Sequence, residues 1–161
     1  MAARHLYPRR PRNRRGFSLV ELVVVVLILG ILAAVGSTKY VDSLNHHRAQ
    51  RSAQRIAADI DAARHGARNR GQSVTITFDT TNHRYTITGM PSPDHPTGAF
   101  VVNLNEGSLK SVLTTADLGG DKVLTFNAFG LPDSGGALTV GAGSSLRTLT
   151  VASQTGAVTI P

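Results

Sequence analysis

The side chains able to do chemistry are few and scattered. Six histidines and ten acids are spread over 161 residues, with no spacing that sets a nucleophile beside a base. The chain has no cysteine, which excludes thiol nucleophiles, disulfide scaffolds and four-cysteine zinc sites. His46 and His47 are neighbours, so on a helix they point about 100° apart, and neither has a histidine four residues away to share a metal. Asp117 and Asp121 bracket Leu118-Gly119-Gly120 and could offer oxygens to Ca²⁺, but two carboxylates without further nearby acids read more simply as a solvated turn. No glycine-rich stretch carries a phosphate-loop lysine, so Gly135-Gly136 and Gly141–Gly143 read as hairpin turns. No catalytic residue, metal or cofactor is expected, and the chain is not expected to be an enzyme. One acid stands apart. Glu21 is the single charge in the run Phe17–Gly36, FSLVELVVVVLILGILAAVG.

That run is the element that must position Glu21. As a helix its twenty residues span roughly 30 Å, the thickness of a bilayer hydrocarbon core. A buried strand of that length would be rare. Residues 1–16 hold six arginines and no acid, which orients the N-terminus toward the cytoplasm and the rest of the chain outside. The formal charge of +7 therefore divides into +6 on this leader and +1 on the remaining 145 residues, which carry 11 basic and 10 acidic side chains. The basicity belongs to the leader, so composition alone does not argue for nucleic acid. Two export signals share this layout. An ordinary signal peptide would use Ala34-Val35-Gly36 as its cleavage site, and a twin-arginine signal would use Arg14-Arg15 in Asn13–Leu19. Neither accounts for a glutamate five residues after Gly16.

Arg15-Gly16-Phe17-Ser18-Leu19-Val20-Glu21, with the apolar run behind it, resembles the processing motif of type IV pilins and type II secretion pseudopilins. The resemblance implies that a prepilin peptidase cuts between Gly16 and Phe17 and methylates the new N-terminal Phe17. Glu21 then becomes the fifth residue of the mature chain. A carboxylate inside a bilayer helix costs on the order of 3 kcal/mol and calls for a partner. No basic residue lies between Phe17 and Lys39, so the available cation is the α-amino group freed at Phe17, of the same subunit or of a neighbour in an assembled filament. The alternative is that Glu21 reaches the headgroups or stays protonated.

Beyond the membrane the helix is expected to continue. Residues 37–70 lack proline, and Ala49, Ala53, Ile56, Ile60, Ala63 and Ala67 recur at alternating four- and three-residue steps, a narrow apolar stripe. Gly71 is the expected stop, preceded by Arg68 and Arg70. The stalk also carries Lys39, Arg48, Arg51, Arg55 and Arg64 against Asp42, Asp59 and Asp61. With no aromatic among them to stack bases, these read as a solvated face rather than a phosphate-binding strip. From Gln72 the period changes to two. Val74–Phe78 and Tyr85–Thr88 alternate apolar and polar, and shorter runs follow at Phe100–Leu104, Leu109–Leu113, Val123–Phe126, Ala137–Val140, Leu146–Val151 and Ala157–Ile160. This spacing predicts an antiparallel meander or small sandwich.

The late segments Leu124-Thr125-Phe126, Phe129-Gly130, Leu138-Thr139-Val140, Leu149-Thr150-Val151 and Gly156-Ala157-Val158 resemble the closing sheet of the pseudopilin H group. The expected fold is α+β, a long N-terminal helix packed on a small antiparallel β-sheet head. The expected divisions are a cleaved leader at 1–16, a membrane segment at 17–36, an amphipathic continuation at 37–71 and a head at 72–161. The resemblance implies a minor pseudopilin of the type II secretion pseudopilus. Its partners would be other pseudopilins, prepilin peptidase, the inner-membrane secretion platform and membrane lipid, with the head in the periplasm. The competing readings are a minor pilin of a type IV pilus or DNA-uptake machine, and a periplasmic protein behind an ordinary signal. Related DNA-uptake pilins use basic residues near the C-terminus. Here Thr148–Pro161 carries no charge, so nucleic acid is not an expected partner.

Overall fold

Residues 16–93 and 98–161 are described by a computed structural model, residues 35–38 by their backbone alone. The leader arginines and the centre of the Met90–Gly98 loop lie outside the described residues. The chain divides into two compact units, Met1–Thr38 and Lys39–Pro161.

One helix, α1, runs Leu19–Arg70. Its first hydrogen bond is from Leu22 N–H to the Ser18 carbonyl at 3.1 Å, which makes Ser18 the N-cap. At the other end Gln72 N–H donates to Ala67 O (3.2 Å) and Gly71 N–H to Arg68 O (3.4 Å). This pair of bonds is the Schellman stop, and it requires the left-handed backbone that Gly71 adopts at φ 62°. The glycine expected to end the helix does so.

In the first unit the described apolar side chains of α1, Leu19 to Leu32, are all exposed. An 18-residue window of this helix has a mean hydropathy of 2.9, long and apolar enough to cross a membrane.

The second unit holds eight strands: β1 Val74–Asp79, β2 Arg84–Thr88, β3 Phe100–Asn103, β4 Val112–Leu118, β5 Val123–Phe126, β6 Gly136–Ala142, β7 Ser145–Val151 and β8 Val158–Thr159. They form two four-stranded antiparallel sheets, ordered β3-β2-β1-β5 and β4-β6-β7-β8. The meander β1–β2–β3 is followed by a crossing to β4, a return to place β5 beside β1, and a second crossing to β6–β8. In β1 and β2 the inward positions are in register, Ile76 opposite Ile87 and Phe78 opposite Tyr85, so alternation delivers both pairs to the core. The turn between them is tied by Asp79. It accepts from the Asn82 side chain (2.6 Å), the backbone N–H groups of Asn82 and Thr81, and the Arg84 guanidinium. These donors, the Asn82 amide foremost, hold the carboxyl well below its usual range, at about 2.

The strand expected at Leu109–Leu113 lies further along, at Val112–Leu118. Lys110, at φ 40°, turns the chain before it, and a bulge between Leu113 and Thr115 resets the alternation. Leu113, Ala116 and Leu118 therefore face inward although their spacing breaks the period of two.

The six stripe residues Ala49, Ala53, Ile56, Ile60, Ala63 and Ala67 are all buried. Five of them join one core with Ile76, Ile87 and Leu124 of the first sheet and Leu113, Leu138 and Leu149 of the second. The small alanines let the helix backbone approach the sheets, and the two isoleucines fill the space between them.

Candidate functional site

At the start of α1 the sequence sets up its own cap. With Ser18 as N-cap, Leu19 is the first helical residue and Glu21 the third. Ser18 and Glu21 thus occupy the two positions of a capping box, and a carboxylate in the first turn complements the helix dipole. The Ser-x-x-Glu spacing was the sequence signal for this. Dipole complementation is worth about 0.3–1 kcal/mol, less than the roughly 3 kcal/mol that a charge costs within a bilayer helix. The cap therefore offsets a fraction of the cost and leaves the need for a cation. Glu21 is exposed, as are Gly16 and Phe17, the latter 82%. A side chain added at Gly16 would meet nothing within 4 Å. Gly16, Phe17 and Glu21 lie within six consecutive residues at the start of α1, and all three are exposed.

Three of the six arginines of the stalk, Arg55, Arg64 and Arg70, are engaged within the head. Arg55 donates to Asp59 at 2.9 Å, and the Tyr85 hydroxyl donates to the same carboxylate oxygen. Asp59 is only 7% exposed, so this group clamps α1 to β2 through a buried charge with two donors. The hydrogen bond to Asp59 raises the Arg55 pKa above its ordinary value. Burial first, and then the Asp59 charge, push the Tyr85 phenol far above its own. Arg64 pairs with Asp61 at 3.2 Å and donates to Thr155 O at 3.1 Å, and Arg70 donates to Gly89 O at 3.1 Å. Nearer the start of the head, Ser52 and Ser111 share a buried hydroxyl contact of 2.6 Å. Arg147 of β7 reaches Gln50 at 2.8 Å and the His46 ring at 2.9 Å. His46 is thus a docking contact for β7, and His47 stands edge-on to it with ring centroids 6.0 Å apart. Those pairings join residues up to 101 positions apart, which no local pattern announces.

Asp117 binds a backbone amide inside the turn the two acids bracket, and Asp121 binds the first amide of β5. Asp117 Oδ1 accepts from Gly120 N–H (3.0 Å) and Asp121 Oδ1 from Val123 N–H (2.9 Å). Among the described residues no three of His, Asp and Glu stand together as a metal site.

The chain's relatives can now be set beside this geometry. Residues 11–37, which contain Gly16, Phe17 and Glu21, match the model of the prokaryotic N-terminal methylation motif. Residues 52–156, from the buried Ser52 of α1 to the turn after β7, match that of type II transport protein GspH. The chain belongs to the GspH family. No curated protein matches it in sequence. Two crystal forms of the type IV minor pilin FimU from Pseudomonas aeruginosa strain PAO1 align with this GspH-family chain. The P21 form aligns at TM-score 0.49 and 16% identity over 71% of this chain and 89% of that one. The P65 form aligns at 0.48 and 15% over 70% and 91%. In GspH-family terms the chain is a pilin-like subunit, an N-terminal methylation motif and apolar helix joined to a β-rich head.

Proposed function

We propose that this GspH-family chain is a minor pseudopilin of a type II secretion system, a structural subunit of the short filament that drives export across the outer membrane. Prepilin peptidase removes residues 1–16 and methylates Phe17. The segment 17–36 anchors the subunit in the inner membrane, with the arginine-rich end cytoplasmic and the head, 72–161, periplasmic. Residues 37–71 continue the helix into the head. The chain acts as a substrate of the peptidase and as an assembly element, without catalysis of its own. Its partners are the other pseudopilins and the inner-membrane secretion platform.

The observation that carries this reading is the order of the two matches, a methylation motif at 11–37 and a GspH head at 52–156. The test is the intact mass of the full chain extracted from membranes containing prepilin peptidase. The expected product lacks sixteen residues and carries one methyl group on Phe17, and a bulky residue in place of Gly16 blocks it. A mature terminus at Ser37 would overturn the reading in favour of an ordinary signal peptide. Deleting the gene separates the two machines: the proposal expects lost export with intact pili, and a type IV minor pilin gives the reverse.

A further inference from the structure

The loop Asn127–Asp133 holds an aromatic out into solvent on a braced frame. Asn127 Oδ1 accepts from both Phe129 N–H (2.9 Å) and Leu131 N–H (3.0 Å), and the backbone closes with Gly130 N–H to Asn127 O (2.8 Å) and Asn127 N–H to Leu131 O (3.0 Å). At the base, Thr125 N–H donates to Asp133 Oδ1 and Asp133 N–H to Thr125 O. Gly130 adopts φ 73°, and a Cβ there would lie 2.4 Å from Arg68 Cγ, so the loop rests directly on the last turns of α1. Phe129 is nevertheless 78% exposed and Leu131 49%. Arg68 beneath them is exposed and has no acceptor among the described residues. A rigid aromatic beside an unpaired cation has the character of an interface anchor, because little ordering entropy remains to be lost on binding.

The same head carries a complementary feature on other elements. Where the end of β4 meets the start of β6 and the end of β7, a shallow hollow of about 540 Å³ is lined by Gly119, Gly120, Gly136, Ala137, Thr150 and Asp117. Gly136 is required by packing, since a Cβ there would fall 1.9 Å from Asp117 O, and the missing side chains leave the hollow. Asp117 spends Oδ1 on its own turn, and its Oδ2 has no partner among the described residues. The exposure of Phe129 means it does not fill the hollow of its own chain.

We propose that the heads of two copies join through these unlike patches, with Phe129 and Leu131 of one seated in the glycine-lined hollow of the other and Arg68 facing Asp117. Each head carries both the loop and the hollow, so the contact is satisfied either by a reciprocal exchange between two copies or by repetition from one copy to the next. It deepens the filament-subunit reading and rests on it. The contact is small, below the roughly 1,000 Å² of a stable interface, and works through the high effective concentration of copies tethered in one membrane.

The chain has no cysteine, so an engineered pair reports one contact. Two differently tagged full-length copies, Leu131→Cys in one and Ala137→Cys in the other, are coexpressed in membranes with prepilin peptidase and mildly oxidised. The expected result is a mixed disulfide at least several-fold above the Leu131→Cys/Leu131→Cys product. Phe129→Ala and Arg68→Glu in the first copy, and Asp117→Asn in the second, each lower it several-fold. Asp117→Asn keeps the Oδ1 acceptor for Gly120, so the turn survives. Lys110→Glu, the same charge change elsewhere on the head, leaves the yield unaltered. A mixed product no higher than the symmetric one, or equal losses for Arg68→Glu and Lys110→Glu, overturns the proposal. The intact mass of the same sample reports whether Gly16–Phe17 was cut, which separates this outcome from failure of the filament reading.

Discussion

Glu21 carries two demands at once. As the third residue of α1 it lies in the first turn, where a carboxylate complements the helix dipole, and as the lone charge in Phe17–Gly36 it resists the bilayer. Glu21→Leu therefore divides the two. The segment becomes more apolar and still inserts, and Gly16 is still cut because the cleavage site is untouched. If the carboxylate draws an amino group out of lipid, crosslinking of the stalk to neighbouring subunits is expected to fall sharply, and export with it. Unaltered crosslinking and export would reject the charge-pair mechanism and leave the family assignment standing. The run from Gly16 to Glu21 was legible in the sequence as a processing motif, and its Ser-x-x-Glu spacing also carried the helix start, which the bond from Leu22 N–H to the Ser18 carbonyl fixes.

At the scale of elements, legibility followed the range of the interaction. The stripe from Ala49 to Ala67, the stop at Gly71 and most strands are local patterns, repeats every three to four residues or every two, and they appear where those patterns put them. β4 escaped because its bulge breaks the period between Leu113 and Thr115. The pairing of β1 with β5, and the division of the strands between two sheets, depend on contacts some fifty residues apart, such as the Thr75–Thr125 hydroxyl pair. The clamp of Arg55, Asp59 and Tyr85 is of the same kind: the residues were visible, but their meeting was not. Tyr85→Phe removes one donor from a buried carboxylate and is expected to destabilise the head by about 1.5–3 kcal/mol. Denaturant unfolding of the full chain, followed by a head-specific signal, measures it. A change below about 0.5 kcal/mol would show that Arg55 alone satisfies Asp59.

For the whole molecule, charge placement decides what the surface can hold. Of the basic residues on the stalk face, Arg55, Arg64 and Arg70 are engaged inside the head, and Arg147 is committed to His46 and Gln50. Removing residues 1–16 takes away six of the seven net positive charges. The mature chain in detergent is expected to bind DNA weakly and without saturation. A micromolar affinity whose salt dependence implies several phosphate contacts, and which an Arg48/Arg51/Arg68 triple alanine abolishes, would promote the DNA-uptake reading instead.

The sharing of one core between α1 and both sheets has a consequence for the order in which the head can be made. During synthesis the stripe at 49–67 emerges early, and β1 and β2 follow at once. The second sheet needs β6 and β7, whose Leu138, Val140, Leu149 and Val151 close the core and lie among the last twenty-five residues of the chain. Until they arrive, part of the stripe faces water, and pairing across such sequence distances is slow. A head halted partway through synthesis keeps that surface open, available to a chaperone or to another unfinished head. A complete head therefore exists only once the C-terminal hairpin has been made and has joined the core.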